Sequence, residues 1–155
     1  MATIRLPPDF KEFLKLLKEH NVRYLLIGAY AVNYHGYIRA TGDMDVWIAI
    51  HPDNAQKIIA ALRAFGIDDP DVNLDFFLQE KKILRMGVPP VRLEITTSIS
   101  GVEFDVCYQS RIVDELDGIE VNLIDLENLK RNKKASGRPK DLVDLKKLQQ
   151  KKTGR

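Results

Sequence analysis

Cysteine is almost absent: Cys107 stands alone in 155 residues. One cysteine cannot form an intramolecular disulfide, and it rules out a Cys-rich metal site. That usage points to a reducing, cytoplasmic location. No apolar run approaches the roughly 20 residues that a membrane span needs, so no membrane partner is expected. The opening "MATIRLPPDF" lacks the apolar region of a secretory signal. Internal repeats and low-complexity stretches are missing as well. What remains is 45% hydrophobic and 30% charged. That balance suits a single domain over residues 1–155 with a real core, and it argues against disorder.

The net charge of +2 hides an asymmetry. Residues 130–155 hold eleven Lys and Arg and two acids, whereas residues 1–129 hold thirteen basic and twenty acidic residues. A basic end can meet the phosphates of a nucleotide or of RNA, or it can be a solvated helix end.

Helices and strands interleave along the chain. "PPDFKEFLKLLKEHN" sets Phe10, Phe13, Leu14 and Leu17 on one helical stripe behind two prolines. "VRYLLIG" is a buried strand ending at Gly28, residues 29–35 a short helix closed by Gly36, and "MDVWIAI" a second strand. "HPDNAQKIIAALRAFG" is a helix ending at Gly66. A turn with a short helix, the strand "ILRMG" and the longer strand "VPPVRLEITTS" follow. "GVEFDVCYQS" reads either as a strand or as a helical turn. "RIVDELDGIEVNLI" is a hairpin around Asp117-Gly118. Two helices, near 125–135 and 139–150, close the chain across "ASGRP". The expected fold is α/β (α+β): a mixed sheet flanked by helices, with a helical C-terminal part over about 125–150.

The second strand begins unusually, with Asp43 and Asp45. Side chains at i and i+2 of a strand share a face, roughly 6–7 Å apart. Two carboxylates so placed repel and raise each other's pKa, and a cation between them removes the conflict. Hard oxygen donors favour Mg²⁺ or Mn²⁺. Upstream, Gly28 ends a strand just before a helix. A ligand can approach the backbone there, and the free N–H groups of the helix start face an anion. Phosphate-binding amides beside metal-binding acids suit phosphoryl chemistry on a nucleoside triphosphate (NTP).

The stretch "GAYAVNYHGYIRATGDMDVWI" resembles the DNA polymerase beta-type nucleotidyltransferase superfamily. The similarity lies with its small prokaryotic branch, related to abortive-infection and toxin–antitoxin nucleotidyltransferases. "GVPPVRLEITTSISGVEF" and "NKKASGRPKDLVDL" agree with that branch. The resemblance implies a polymerase beta-like fold, Mg²⁺ or Mn²⁺ (two ions), and an NTP as substrate. It implies transfer of a nucleoside monophosphate to an acceptor, with pyrophosphate leaving. The acceptor is left open between RNA such as a tRNA end, a protein hydroxyl and a small molecule. It assigns Gly28 and Ala29 to the triphosphate and Asp43 and Asp45 to the metal. Arg39 and Thr41, on the loop into the acids, join the nucleotide-binding set, with a loop-holding salt bridge as the other reading for Arg39. Lys133 and Lys140 are the lysines expected at the triphosphate, against solvent-facing lysines beside Asp141. Ala29 stands where Ser or Gly is usual, and the third acid is Glu where Asp is usual.

Glu94 is the third acid expected at the catalytic metal site. Strand alternation puts Arg92, Glu94 and Thr96 on one face of "VPPVRLEITTS". A mid-strand acid is costly unless a cation meets it; the competing reading pairs Glu94 with Arg92 or a tail lysine. Glu103 and Asp105 are passed over because they follow a turn at Ser100-Gly101. Two other functions fit parts of the sequence. A glycosyltransferase also uses Asp-x-Asp, but this pair falls too early in too short a chain. A degenerate nucleotidyltransferase would serve as an antitoxin or as an RNA- or partner-binding module.

Overall fold

The computed structural model describes residues 4–38, 41–88 and 91–153, with side chains described to residue 150. Helix α1 (Pro8–Glu19) starts behind Pro7, and its stripe of Phe10, Phe13, Leu14 and Leu17 is wholly buried. Burying such side chains stabilises by about 1.5–3 kcal/mol each. Strand β1 (Tyr24–Ile27) runs into α2 (Gly28–Tyr34), and β2 (Asp43–Ile48) follows. Helix α3 (Pro52–Phe65) opens with the His51 side chain accepting from the Asp53 N–H, and it ends at Gly66, whose φ is +105°. After α4 (Leu74–Phe77) come β3 (Ile83–Val88) and β4 (Val91–Thr96). "GVEFDVCYQS" resolves as a helix, α5 (Phe104–Gln109), which buries Cys107. The hairpin β5 (Ile112–Leu116) and β6 (Ile119–Leu123) turns at Asp117-Gly118. Helices α6 (Leu126–Ser136) and α7 (Pro139–Thr153) end the chain.

The strands form one mixed sheet in the order β3-β4-β2-β1-β6-β5. β2 pairs antiparallel with β1 and parallel with β4, while β1 and β6 are parallel. The mixed sheet expected from interleaved crossovers and hairpins is what the chain forms. Period-2 alternation sends the two strand faces to different cores. Leu26, Met44, Val46, Ile48, Leu93 and Ile95 pack with α1 and α3. Leu25, Ile27 and Trp47 pack on the other face with Ala31, Cys107, Leu129 and Leu148. This second face is therefore covered beside β1. Toward β4 and β3 the same face carries polar side chains.

One buried polar residue ties the first layer together. Asn54, at the start of α3, accepts from the Arg23 N–H at 2.7 Å and donates to the carbonyls of Arg23 and Ala49 at 3.1 and 3.0 Å. The side chain is buried with its polar atoms bonded, as an interior amide must be. Among the described residues no helix is long and apolar enough to cross a membrane.

Candidate active site

The site is built by register. Asp45 of β2 pairs with Ile27 of β1 on one side and Glu94 of β4 on the other, and Glu94 pairs with Arg85 of β3. One rung of the sheet thus reads Ile27, Asp45, Glu94, Arg85. The rung before it carries Asp43 and Arg92, and the rung after it Trp47, Thr96 and Ile83. All project from the face opposite the α1–α3 core. Above the first two rungs lies a cavity of about 570 Å³, whose walls include Gly28, Ala29, Lys133, Arg138 and Lys140. Strands β2 and β4, far apart in the sequence, bring the carboxylates together, and the α6–α7 hairpin brings the lysines over them.

Gly28 is where β1 becomes α2, at φ +67°. A Cβ added there would overlap the Asp45 carboxylate. The glycine is therefore required twice, for a left-handed backbone and for the approach of Asp45. Gly28→Ala is expected to displace Asp45 and cost both stability and nucleotide binding. A variant with wild-type melting temperature and nucleotide affinity would remove Gly28 from the site.

Asp45 is the most perturbed acid here. Its burial, then the charges of Glu94 and Asp43, push its pKa up to about 6, against a smaller opposing pull from Lys140 and Lys133. Like charges converging on a partly desolvated carboxylate produce such a shift. The other two acids share arginines. Arg92 donates to Asp43 at 3.0 Å, and its Nε lies 3.7 Å from Glu94, too long for a hydrogen bond. Arg85 Nε donates to Glu94 at 3.1 Å. Among the described residues no group of three His, Cys, Asp or Glu side chains stands close enough to hold a metal ion. The donor chemistry still fits a hard divalent cation, because three carboxylates line one cavity and their repulsion is part of what raises Asp45.

The structure distributes the other expected residues unevenly. Ala29 lines the cavity beside Gly28. Thr41 is engaged locally: its hydroxyl accepts from the Asp43 N–H at 3.2 Å and holds the entry to β2. Arg39 lies outside the described residues. Lys140 is an exposed residue on the cavity wall. Lys133 also reaches that wall, but its Nζ sits 2.9 Å from Asp141 and 3.1 Å from Asp144, with all three side chains 3–6% exposed. Its charge serves two buried carboxylates of α7. Burial pushes Asp141 up, but hydrogen bonds from Ser136, Lys133 and Arg138 outweigh it and hold the carboxyl at about 2. His35 is a helix-end hydrogen-bonder, with Nε2 2.8 Å from the Ile124 carbonyl. Arg85 and Arg138 are site residues that the sequence did not single out. The alternation of "ILRMG" was the available signal for Arg85, given β3 as the neighbour of β4.

No family model matches the sequence, and no curated protein does. Among solved structures, a candidate nucleotidyltransferase from Thermotoga maritima aligns over 98% of this chain and 98% of its own, with a TM-score of 0.57 at 14% identity. An antigenic nucleotidyltransferase-like protein from Paracoccidioides brasiliensis aligns over 89% of this chain and 72% of its own, with a TM-score of 0.52 at 19% identity. The chain thus shares the fold of these nucleotidyltransferase-like structures.

Proposed function

We propose that the chain transfers a nucleoside monophosphate from an NTP to an acceptor hydroxyl, using Mg²⁺ or Mn²⁺, two ions being the expected number. The observation that carries this reading is the pairing of Asp45 with Glu94 across β2 and β4, beside Gly28 and beneath the basic α6–α7 hairpin. Asp43, Asp45 and Glu94 are the residues that would hold the metal. Bound there, it would lower the pKa of the acceptor hydroxyl and neutralise charge on the leaving phosphates. Backbone N–H groups of Gly28 and Ala29, with Arg138 and Lys140, hold the triphosphate. The acceptor hydroxyl gives up its proton to solvent, its oxygen bonds to the α-phosphorus, the bond from that phosphorus to the bridging oxygen breaks, and pyrophosphate departs. The protein's share is positioning and charge stabilisation.

A second reading has its own observation. Arg92 and Arg85 already provide cations to Asp43 and Glu94, which suits a degenerate domain that binds RNA or a partner protein, as an antitoxin does. Two measurements separate the readings. Mg²⁺ with an NTP is expected to raise the melting temperature more than Mg²⁺ alone, because a ligand that binds only the folded state stabilises it by mass action. Glu94→Gln is expected to lower Mg²⁺-dependent pyrophosphate release by about 10²-fold or more, the scale of losing a key electrostatic group. Pyrophosphate release that is absent in the wild type decides for the second reading, whereas release unchanged in the variant removes Glu94 from the catalytic set.

A further inference from the structure

Next to the cavity over the acids lies a larger one, of about 750 Å³. Thr96, Ser98, Ile99 and Ser100 line both, so the two adjoin across one loop. Their floors are successive rungs of one sheet: Trp47 and Thr96 lie two residues beyond Asp45 and Glu94 on the same strands. Two strand residues span roughly 6–7 Å, the reach of one small substituent.

The dividing loop is firmly built. The Ser100 carbonyl accepts from Asn132 of α6 at 3.0 Å, and a Cβ on Gly101 would collide with Ala135. The Ser98 hydroxyl accepts from the Lys81 N–H at 2.8 Å. The far wall is aromatic. Phe104 meets Trp47 edge-on at 5.1 Å and stacks on Tyr108 at 5.4 Å. Trp47 Nε1 is buried without a hydrogen-bond partner among the described residues.

The two chambers differ in charge. Over the acids, Arg85, Arg92, Arg138 and Lys140 suit a triphosphate. The larger chamber carries the exposed carboxylates of Glu80, Glu103 and Asp105 against Arg23 and Lys81. Phosphates of an RNA end would be brought against these acids, a like-charge contact that disfavours a partner. The volume lies within the range of about 300–1,000 Å³ typical of small-molecule sites.

We propose that this second chamber binds the acceptor, and that the acceptor is a small cationic molecule. It would lay an apolar face against the half-buried Phe104, which Trp47 backs from the core, and carry its hydroxyl past Thr96 and Ser98 to Glu94. The proposal rests on the transfer reading above, and its test sets a small acceptor against RNA and protein.

Trp47 is the only tryptophan of the chain, so replacing it with fluorotryptophan gives one fluorine NMR signal inside this chamber. The full chain is mixed with either the small-molecule ultrafiltrate of a cell extract or the retained RNA and protein. Each mixture also receives Mg²⁺ and NTP labelled at the α-phosphate. The expected result is a fluorine shift with the ultrafiltrate alone, and label in a small product. Glu103→Lys combined with Asp105→Lys, both at exposed positions, should raise the ultrafiltrate needed for half-maximal shift by about tenfold. The melting response to Mg²⁺ and NTP should stay at the wild-type level. Label on RNA or protein, or no fluorine response to the ultrafiltrate, overturns the proposal. Loss of the NTP melting response in the wild type would instead sink the transfer reading, while the fluorine signal still decides whether the chamber binds small molecules.

Discussion

Asp45→Asn is expected to abolish Mg²⁺-dependent transfer and, at the same time, to make the fold more stable at neutral pH. Asparagine has nearly the shape of aspartate, so the rung keeps its packing between Ile27 and Glu94 while one of three converging charges disappears. In the folded chain Asp45 ionises near pH 6, against 3.8 without the protein's influence. Between these values the native state holds more protons than the unfolded one. Stability therefore falls as pH rises through that window and stays low above it. Removing the carboxylate removes the loss, a gain on the order of 2 kcal/mol above about pH 6 and little below about pH 4. Urea denaturation at both ends of the window measures the difference. Asp43→Asn should also end turnover, because it too removes a carboxylate of the proposed metal site. Wild-type turnover in both variants would place the chemistry elsewhere.

Lys133→Ala should be more damaging to the fold than to the nucleotide. Matching of motifs casts Lys133 as a triphosphate ligand, for which folding would be the lesser effect. The structure reverses that order. Lys133 Nζ lies between Asp141 and Asp144, both carboxylates nearly inaccessible. Deleting the ammonium leaves two acids buried close together. Breaking a buried ion pair costs about 3–5 kcal/mol, a large part of the roughly 5–15 kcal/mol by which a domain of this kind is stable. The unfolding midpoint in urea should drop accordingly. Lys140→Ala, at an exposed site, should change stability by no more than about 0.5 kcal/mol and should reduce the melting response to Mg²⁺ and NTP. If Lys133→Ala folds normally and only Lys133→Ala loses that response, Lys133 is the triphosphate ligand after all.

These two lysines show where a sequence is readable. Nearly every element can be placed from periodicity and turn residues, because those signals are local: the α1 stripe, Gly66 behind α3, and Asp117-Gly118 in the hairpin. Glu94 can be assigned to a face by counting in twos. Its pairing with Asp45 cannot, because strand order depends on which surfaces the chain buries after it folds. Lys133 reads as a ligand or a surface lysine, since its partners Asp141 and Asp144 lie on the next helix. Thr41 bonds to a backbone two residues away, which composition does not reveal. "GVEFDVCYQS" alternates like a strand, but Phe104 and Cys107, three apart, both face the second core as a helix requires. Tertiary packing decided among patterns that the local sequence left open.

The parallel pairing of β2 with β4 also sets when the site comes into being. Arg92 and Asp43 are 49 residues apart in sequence. α3, α4 and β3 lie between them. Closing so long a loop costs entropy before any contact repays it, and contacts of this kind slow folding. Hairpins such as β3–β4 and β5–β6 need no such closure. A nascent or partly folded chain can therefore possess most of its helices and both hairpins while Asp45 and Glu94 remain strangers. The carboxylates that repel one another meet only when the sheet's centre closes, so the chain carries its electrostatic burden for the shortest part of its folding and for the whole of its working life.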